Sequence, residues 1–273
     1  MPHFKNRDKL DLYYARDDYT DPWAKRPTLI LQHGNGRSSE FWYAWIPVLA
    51  RRFNVIRPDM RGLGKSQAVH SLDDINVQAC LDDLVELLTS LPDDGPVHYC
   101  GESMGGILGI LLAARHPELV RSLSLISTPV FISDAMKDRY SLGMSSRIDA
   151  MRTLGIEQWV RKTTKSTRFP PDFDEDAFDW YVKEFSKSDP ETLVRYSEIV
   201  NAANAFEWLN KVQCPTLALF PTRGPITDPT QEKLLTDNIP NISVAHLPTS
   251  YHMIHMIFPE VCARHVLDFC EQN

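Results

Sequence analysis

Two kinds of segment alternate along the first half of the chain. Short apolar runs at 28–32, 54–57, 97–100 and 122–126 predict strands, and stretches with apolar positions three and four apart at 39–50, 72–91 and 104–114 predict helices between them. The stretch 72–91 is the most regular. Val77, Cys80, Leu81, Leu84, Val85 and Leu88 share one face, and Ser71 and Asp74 stand at capping-box spacing at its start. Such a stripe predicts a helix laid on a sheet, and the strand–helix alternation predicts a parallel sheet wrapped by helices. Weak alternation at 10–14 suggests an N-terminal antiparallel pair.

Between about 131 and 212 the strand pattern stops, and helical stretches are predicted at 146–163, 174–185 and 189–209. They carry Met151, Leu154, Trp159, Phe178, Trp180, Tyr181, Phe185, Tyr196, Phe206 and Trp208. Most of these are expected to pack helix on helix. The rest would face inward over a pocket and favour an apolar or aromatic acyl group. Strands return at 216–220 and 243–247, before a last helix at 259–270. The expected organisation is therefore one domain, with a core of 1–130 and 213–273 and a helical cap, 131–212, inserted into it.

A chain of 273 residues is long enough to bury a large core in one α/β domain. Its 43% hydrophobic and 24% charged residues are those of a globular protein. The net charge of -7 is spread without like-charge blocks, which argues against a nucleic-acid partner. No apolar run is long enough to span a bilayer, and the first residues have no apolar signal region, so a cytoplasmic protein without membrane contact is expected. Cys80, Cys100, Cys214, Cys262 and Cys270 are odd in number, and several lie in apolar segments without CxxC pairs. Reduced core thiols are expected, with no disulfide, metal or cofactor.

Candidate chemistry starts at Gly101-Glu102-Ser103-Met104-Gly105-Gly106, between an apolar strand and a helix. A sharp strand-to-helix turn holds its serine in a strained conformation and needs small neighbours where other backbone presses close. Ser103 is the expected nucleophile. The same turn aims the Met104 N–H and the positive end of the helix at a developing oxyanion. His33-Gly34-Asn35-Gly36 closes an earlier strand and brings the Asn35 N–H to that point from the other side. The loop 59–66, Asp-Met-Arg-Gly-Leu-Gly-Lys-Ser, reads as structural.

Through these motifs the sequence resembles the α/β-hydrolase superfamily over nearly its full length. It looks most like the branch of small carboxylesterases, enol-lactonases, cofactor-free haloperoxidases and carbon–carbon bond hydrolases. The resemblance implies a mostly parallel central sheet flanked by helices with a helical cap insertion. It also implies a catalytic histidine on the loop after the last strand, ahead of proline-glutamate. Ser250-Tyr251-His252-Met253-Ile254-His255, followed by Pro259-Glu260, matches that place, so the resemblance makes His252 the base. His255 would pack nearby, and His246, His98, His116 and His265 have structural settings.

The third member departs from the family. Relatives carry an aspartate after the strand that here is 216–220, but Gly224 stands at that position. Asp228 lies four residues later; Ser127 and Thr128, near the other site used by relatives, are not carboxylates, and Asp134 is further along. Three readings stay open: Asp228 serves, a water or neutral group replaces the acid, or the reaction depends on it less.

The resulting expectation is a serine hydrolase that cleaves a small carboxylic ester or lactone through an acyl-enzyme on Ser103, with Asn35 and Met104 as oxyanion donors. A serine in that place excludes relatives with an aspartate nucleophile. The alternatives are a carbon–carbon hydrolase of ring-cleavage products, against which Met253 stands where tryptophan is common, and lyase or cofactor-free oxygenase chemistry with His252 as base. A receptor that kept the pocket without turnover is a third class.

Overall fold

Successive residues of a strand face opposite sides of a sheet, and the apolar residues of this chain divide accordingly. Leu29, Leu31, Val55, Cys100, Leu217 and Leu219 belong to one apolar cluster, while Ile30, Ile56, Tyr99, Ala218 and Phe220 belong to the other. Strands apolar at every position are thus buried on both faces, as a parallel sheet between helical layers requires. The computed structural model describes residues 3–92, 95–224 and 229–273. Among them, β1 (His3–Lys5), β2 (Asp11–Asp17), β3 (Thr28–Gln32), β4 (Asn54–Pro58), β5 (Val97–Glu102), β6 (Val120–Ile126), β7 (Thr216–Pro221) and β8 (Ile242–Leu247) form one sheet. Its order is β1-β2-β4-β3-β5-β6-β7-β8. β1 pairs antiparallel with β2 and β2 with β4; every other pairing is parallel.

One face is covered by a 3₁₀ turn at Ser39–Trp45, α1 (Ile46–Leu49) and α11 (Pro259–Gln272). The other carries α2 (Val77–Ser90) and α3 (Met104–Arg115), which pack on each other. Between β6 and β7 run α4 (Asp134–Ser141), α5 (Arg147–Leu154), α6 (Ile156–Thr167), α7 (Glu175–Phe185) and α8 (Pro190–Ala202). α9 (Pro229–Asn238) follows β7, and the short α10 (Ile254–Ile257) follows β8.

The predicted elements are present with local differences. Ser71 and Asp74 do form a capping box, but it closes a separate 3₁₀ turn at Leu72–Asp74. α2 starts after it, capped by Asn76, whose side chain accepts from the Ala79 N–H. The stretch 146–163 is two helices, because Gly155 at φ 77 interrupts the helical backbone. α4 was not expected. The stretch 189–209 is helical only to Ala202 and ends in a 3₁₀ turn at Phe206–Lys211.

The loop after β4 is held by hydrogen bonds to several segments. Asp59 accepts from the backbone N–H groups of Ser39 and Lys65, at 2.5 and 2.8 Å. Arg61 is clamped by both carboxylate oxygens of Asp83, each at 2.7 Å, and its carbonyl accepts from Tyr196 Oη of α8 at 2.8 Å.

Candidate active site

At the end of β5 the chain turns at Ser103 directly into α3, with φ 53 and ψ -116. A non-glycine residue there is strained and must be held by its surroundings. The Ser103 N–H donates to the Ile126 carbonyl at 3.0 Å, and its own carbonyl accepts from Gly106 and Ile107. The flanking glycines permit the approach: a Cβ on Gly101 would meet the backbone of Gly105 and Gly106, and one on Gly105 the carbonyls of Gln32 and His33. The small neighbours expected from the motif are needed for that reason.

The strand-end loop at 33–36 lies against this turn. Buried His33 donates from Nδ1 to the Gly34 carbonyl at 2.8 Å and accepts the Met60 N–H at Nε2, 3.1 Å, which fixes the loop to the segment after β4. Both bonds suit a neutral ring, and burial pushes its pKa down. Gly36, at φ 70, presses on the ring of Phe185 from α7. Asn35 is buried and its side-chain amide reaches Ser197 Oγ at 3.5 Å. Among the described residues neither the Asn35 nor the Met104 N–H takes a backbone acceptor.

His252 is 3% exposed on the loop between β8 and α10. Its N–H donates to the Thr167 carbonyl and the Met253 N–H to the Arg168 carbonyl, at 3.0 and 3.2 Å, so the end of α6 holds the loop. Its Nε2 lies 3.3 Å from Glu102 Oε1, off the line of a good hydrogen bond, and its Nδ1 has no partner among the described residues. No hydrogen bond joins Ser103 to His252 among those residues.

Glu102 and Arg37 are what the sequence reading missed. Strand alternation turns Glu102 away from the face of Tyr99 and toward that of Cys100, where both Nε and Nη2 of Arg37 bond its Oε2, at 3.0 and 2.5 Å. Tyr181 Oη accepts from Arg37 at 3.5 Å. Burial alone would raise the Glu102 carboxyl, but Arg37 and the two histidines hold it well below the usual carboxylate range. Burial lowers the pKa of His252, and Glu102 opposes that shift. A signal was present: a carboxylate ending a strand that is otherwise wholly core must find a partner. The sequence could not say which one.

Three further histidines have contacts of their own. His255 packs against Trp42 with the rings tilted and their centroids 4.9 Å apart, and burial brings its pKa down to about 3. His98 bonds Ser122 at 2.7 Å, and His246 meets Glu232 at 2.8 Å. Of the acid positions, Gly224 offers no side chain, Ser127 and Thr128 are buried hydroxyls, and Asp134 is exposed beside Lys137. Asp228 lies outside the described residues. Among the described residues no cluster of three His, Cys, Asp or Glu side chains could hold a metal, and no helix is long and apolar enough to cross a membrane.

This architecture has known counterparts. The family model described as alpha/beta hydrolase fold matches residues 27–259, and the chain belongs to that family. It is 28% identical over 247 residues to the pimeloyl-[acyl-carrier protein] methyl ester esterase of Nitrosomonas europaea, covering 86% of this chain and 92% of that one. A shorter stretch of 104 residues is 32% identical to RutD of Agrobacterium fabrum, which carries the name of a carbamate hydrolase. That match spans only 38% of this chain and 39% of the relative. Among solved structures, the enol-lactonase from Burkholderia xenovorans LB400 superposes with a TM-score of 0.82 at 22% identity, covering 99% of this chain and 100% of that one. A hydrolase from Pseudomonas aeruginosa PA01 gives 0.85 at 24%, with 98% and 97% covered. At these identities the superpositions establish the fold.

Proposed function

We propose that the protein is a serine hydrolase of a small carboxylic ester or lactone. The observation that carries this is Ser103 held at φ 53 between β5 and α3, a strain that a turn without chemistry has no reason to keep. His252 takes the Ser103 proton, and the alkoxide attacks the substrate carbonyl carbon. The Asn35 and Met104 N–H groups receive the oxyanion, and His252 returns the proton to the leaving alkoxide. Water, deprotonated by His252, then attacks the acyl carbon, the bond to Ser103 Oγ breaks to release the acid, and His252 returns the proton to Ser103.

Glu102 supplies the negative charge that the imidazolium needs. Its Oε1 stands 3.3 Å from Nε2 of His252, near enough to stabilise the charged ring while Nδ1 accepts the proton, and Arg37 keeps the carboxylate ionised and in place. In this reading Glu102 takes over the task for which Asp228 stood as candidate. Residues 131–212 act as the cap over a core of 1–130 and 213–273, a division supported by the packing of Phe185 on Gly36. The five free thiols fit a reducing compartment such as the cytoplasm.

The test is labelling with a fluorophosphonate probe, followed by mass mapping. Ser103 should be modified, and Ser103→Ala should abolish both labelling and turnover of a methyl or aryl ester. An unlabelled Ser103 overturns the reading in favour of chemistry in which His252 is the base and the serine only orients substrate. Matched ester and carbamate substrates set the bond class.

A further inference from the structure

Three buried arginines of the core are paired with carboxylates. Arg37 has Glu102, Arg61 has Asp83, and Arg57 has Asp17. Two arginines of the helical segment break the pattern. Arg147, the first residue of α5, is 4% exposed and makes no hydrogen bond or ion pair among the described residues. Its guanidinium lies over the rings of Tyr140 and Trp159, at 4.8 and 4.9 Å. Arg168, at the end of α6, is equally buried; it lies 5.2 Å from the same Tyr140 ring and donates to Thr164 Oγ1 at 3.2 Å. The Nε of each has no partner. Two like charges lie against one ring, and among the described residues neither is paired with a carboxylate.

Aromatic faces offset only part of the cost of burying a cation, and a second cation nearby adds to it. Burial, together with Arg168 and Arg37 and against the opposing Tyr140, brings Arg147 down to about 9. The buried carboxylates among the described residues are taken: Glu102 serves Arg37, Asp83 serves Arg61, and Asp59 accepts from the Ser39 and Lys65 N–H groups. The location is next to the chemistry. The Arg168 carbonyl holds the Met253 N–H beside His252, and Trp159, beneath Arg147, lies 6.3 Å from the Phe185 ring that packs on Gly36.

Resting on the hydrolase reading above, we propose that Arg147 and Arg168 form an anion subsite and that the substrate is an ester or lactone bearing a free carboxylate. A guanidinium presents paired donors that match a carboxylate, and a buried one gains most from it. The aromatic floor of Tyr140 and Trp159 suits the carbon chain between that carboxylate and the scissile carbonyl.

The experiment compares kcat/KM for hemiesters of succinate, glutarate and adipate with neutral esters of the same length, the carboxylate being placed on the acyl or the alcohol side. Wild type should favour the best hemiester at least about tenfold. In Arg147→Met that ratio should fall by about ten- to hundredfold, and Arg168→Gln should lower it too. The ratio is internal to each protein, so partial loss of folded enzyme cancels. A wild-type ratio at or below one, or a ratio unchanged in both variants, overturns the subsite while leaving the serine hydrolase standing. Glutarate should also raise the melting temperature of wild type and not that of Arg147→Met. If Ser103 is unlabelled and no ester is cleaved, the hydrolase reading fails and this shift alone decides the subsite. Stabilisation by inorganic phosphate and not by glutarate, or by neither, overturns it.

Discussion

Single side chains decide how His252 works. A histidine in a buried, apolar site prefers to be neutral, and Glu102 is the group that lowers the cost of charging it. Glu102→Gln keeps the shape and removes the charge, so turnover should drop by about a hundredfold or more, on the scale seen when the acid behind a catalytic imidazole is lost. The sign of the pH effect follows. Glu102 raises the His252 pKa, so without it the pKa falls further, and the acid limb of kcat/KM should move to lower pH. A limb that stays in place would leave Glu102 with a packing role alone. Glu102 itself was in plain view in the sequence as the residue before Ser103. Its role was not, because its partner Arg37 and its neighbour His252 come from distant segments.

At the scale of elements, the turn from β5 into α3 depends on how closely three backbone segments meet. Gly105 presses on the carbonyls of Gln32 and His33, which are backbone and cannot swing aside. Gly105→Ala should therefore destabilise the protein by about 1–3 kcal/mol, the usual cost of overpacking, and lower ester turnover more than stability by displacing the Met104 N–H. A urea melt and a steady-state assay check both; an unaffected turnover would separate Met104 from the oxyanion site. Most strands and helices of the core were legible here, since period two and period 3.6 are local patterns. The misread elements have local causes too. Gly155 splits one helical stripe into α5 and α6 without disturbing its apolar spacing, and Asn76 rather than Ser71 starts α2 because the turn at Leu72–Asp74 uses the capping box.

The whole molecule stores titratable groups in its core, and this sets its response to acid. Burial lowers the pKa of His33, His98, His252 and His255, to about 4 for His98 and about 3 for His255. Unfolded, these rings take up protons near pH 6.5. Between that value and their folded values the unfolded chain binds more protons, so stability is full above about pH 6.5 and declines as pH falls. Each such group contributes up to about 1.4 kcal/mol per pH unit. The urea midpoint should fall steadily from pH 7 to pH 4, and His98→Gln should reduce the slope; a flat midpoint would mean that the rings titrate in the folded protein as they do in the unfolded chain. The Glu102 carboxylate acts in the same direction at lower pH: its depressed value means that its contribution is full above about pH 4.5 and declines progressively as pH falls below that.

The order of apolar and polar residues by itself determined which segments enter the sheet layer and which cover it, while the order of the strands came from the fold. It also placed Ser103 on a glycine-flanked turn, because these properties follow from neighbours a few positions apart. Only the tertiary structure decided that Glu102 faces His252 and Arg37, and that Arg147 and Arg168 share Tyr140 without a counter-charge. Electrostatic partnership acts through space across segments far apart in the chain. A periodic pattern says that a residue is buried; the packed fold alone says beside what.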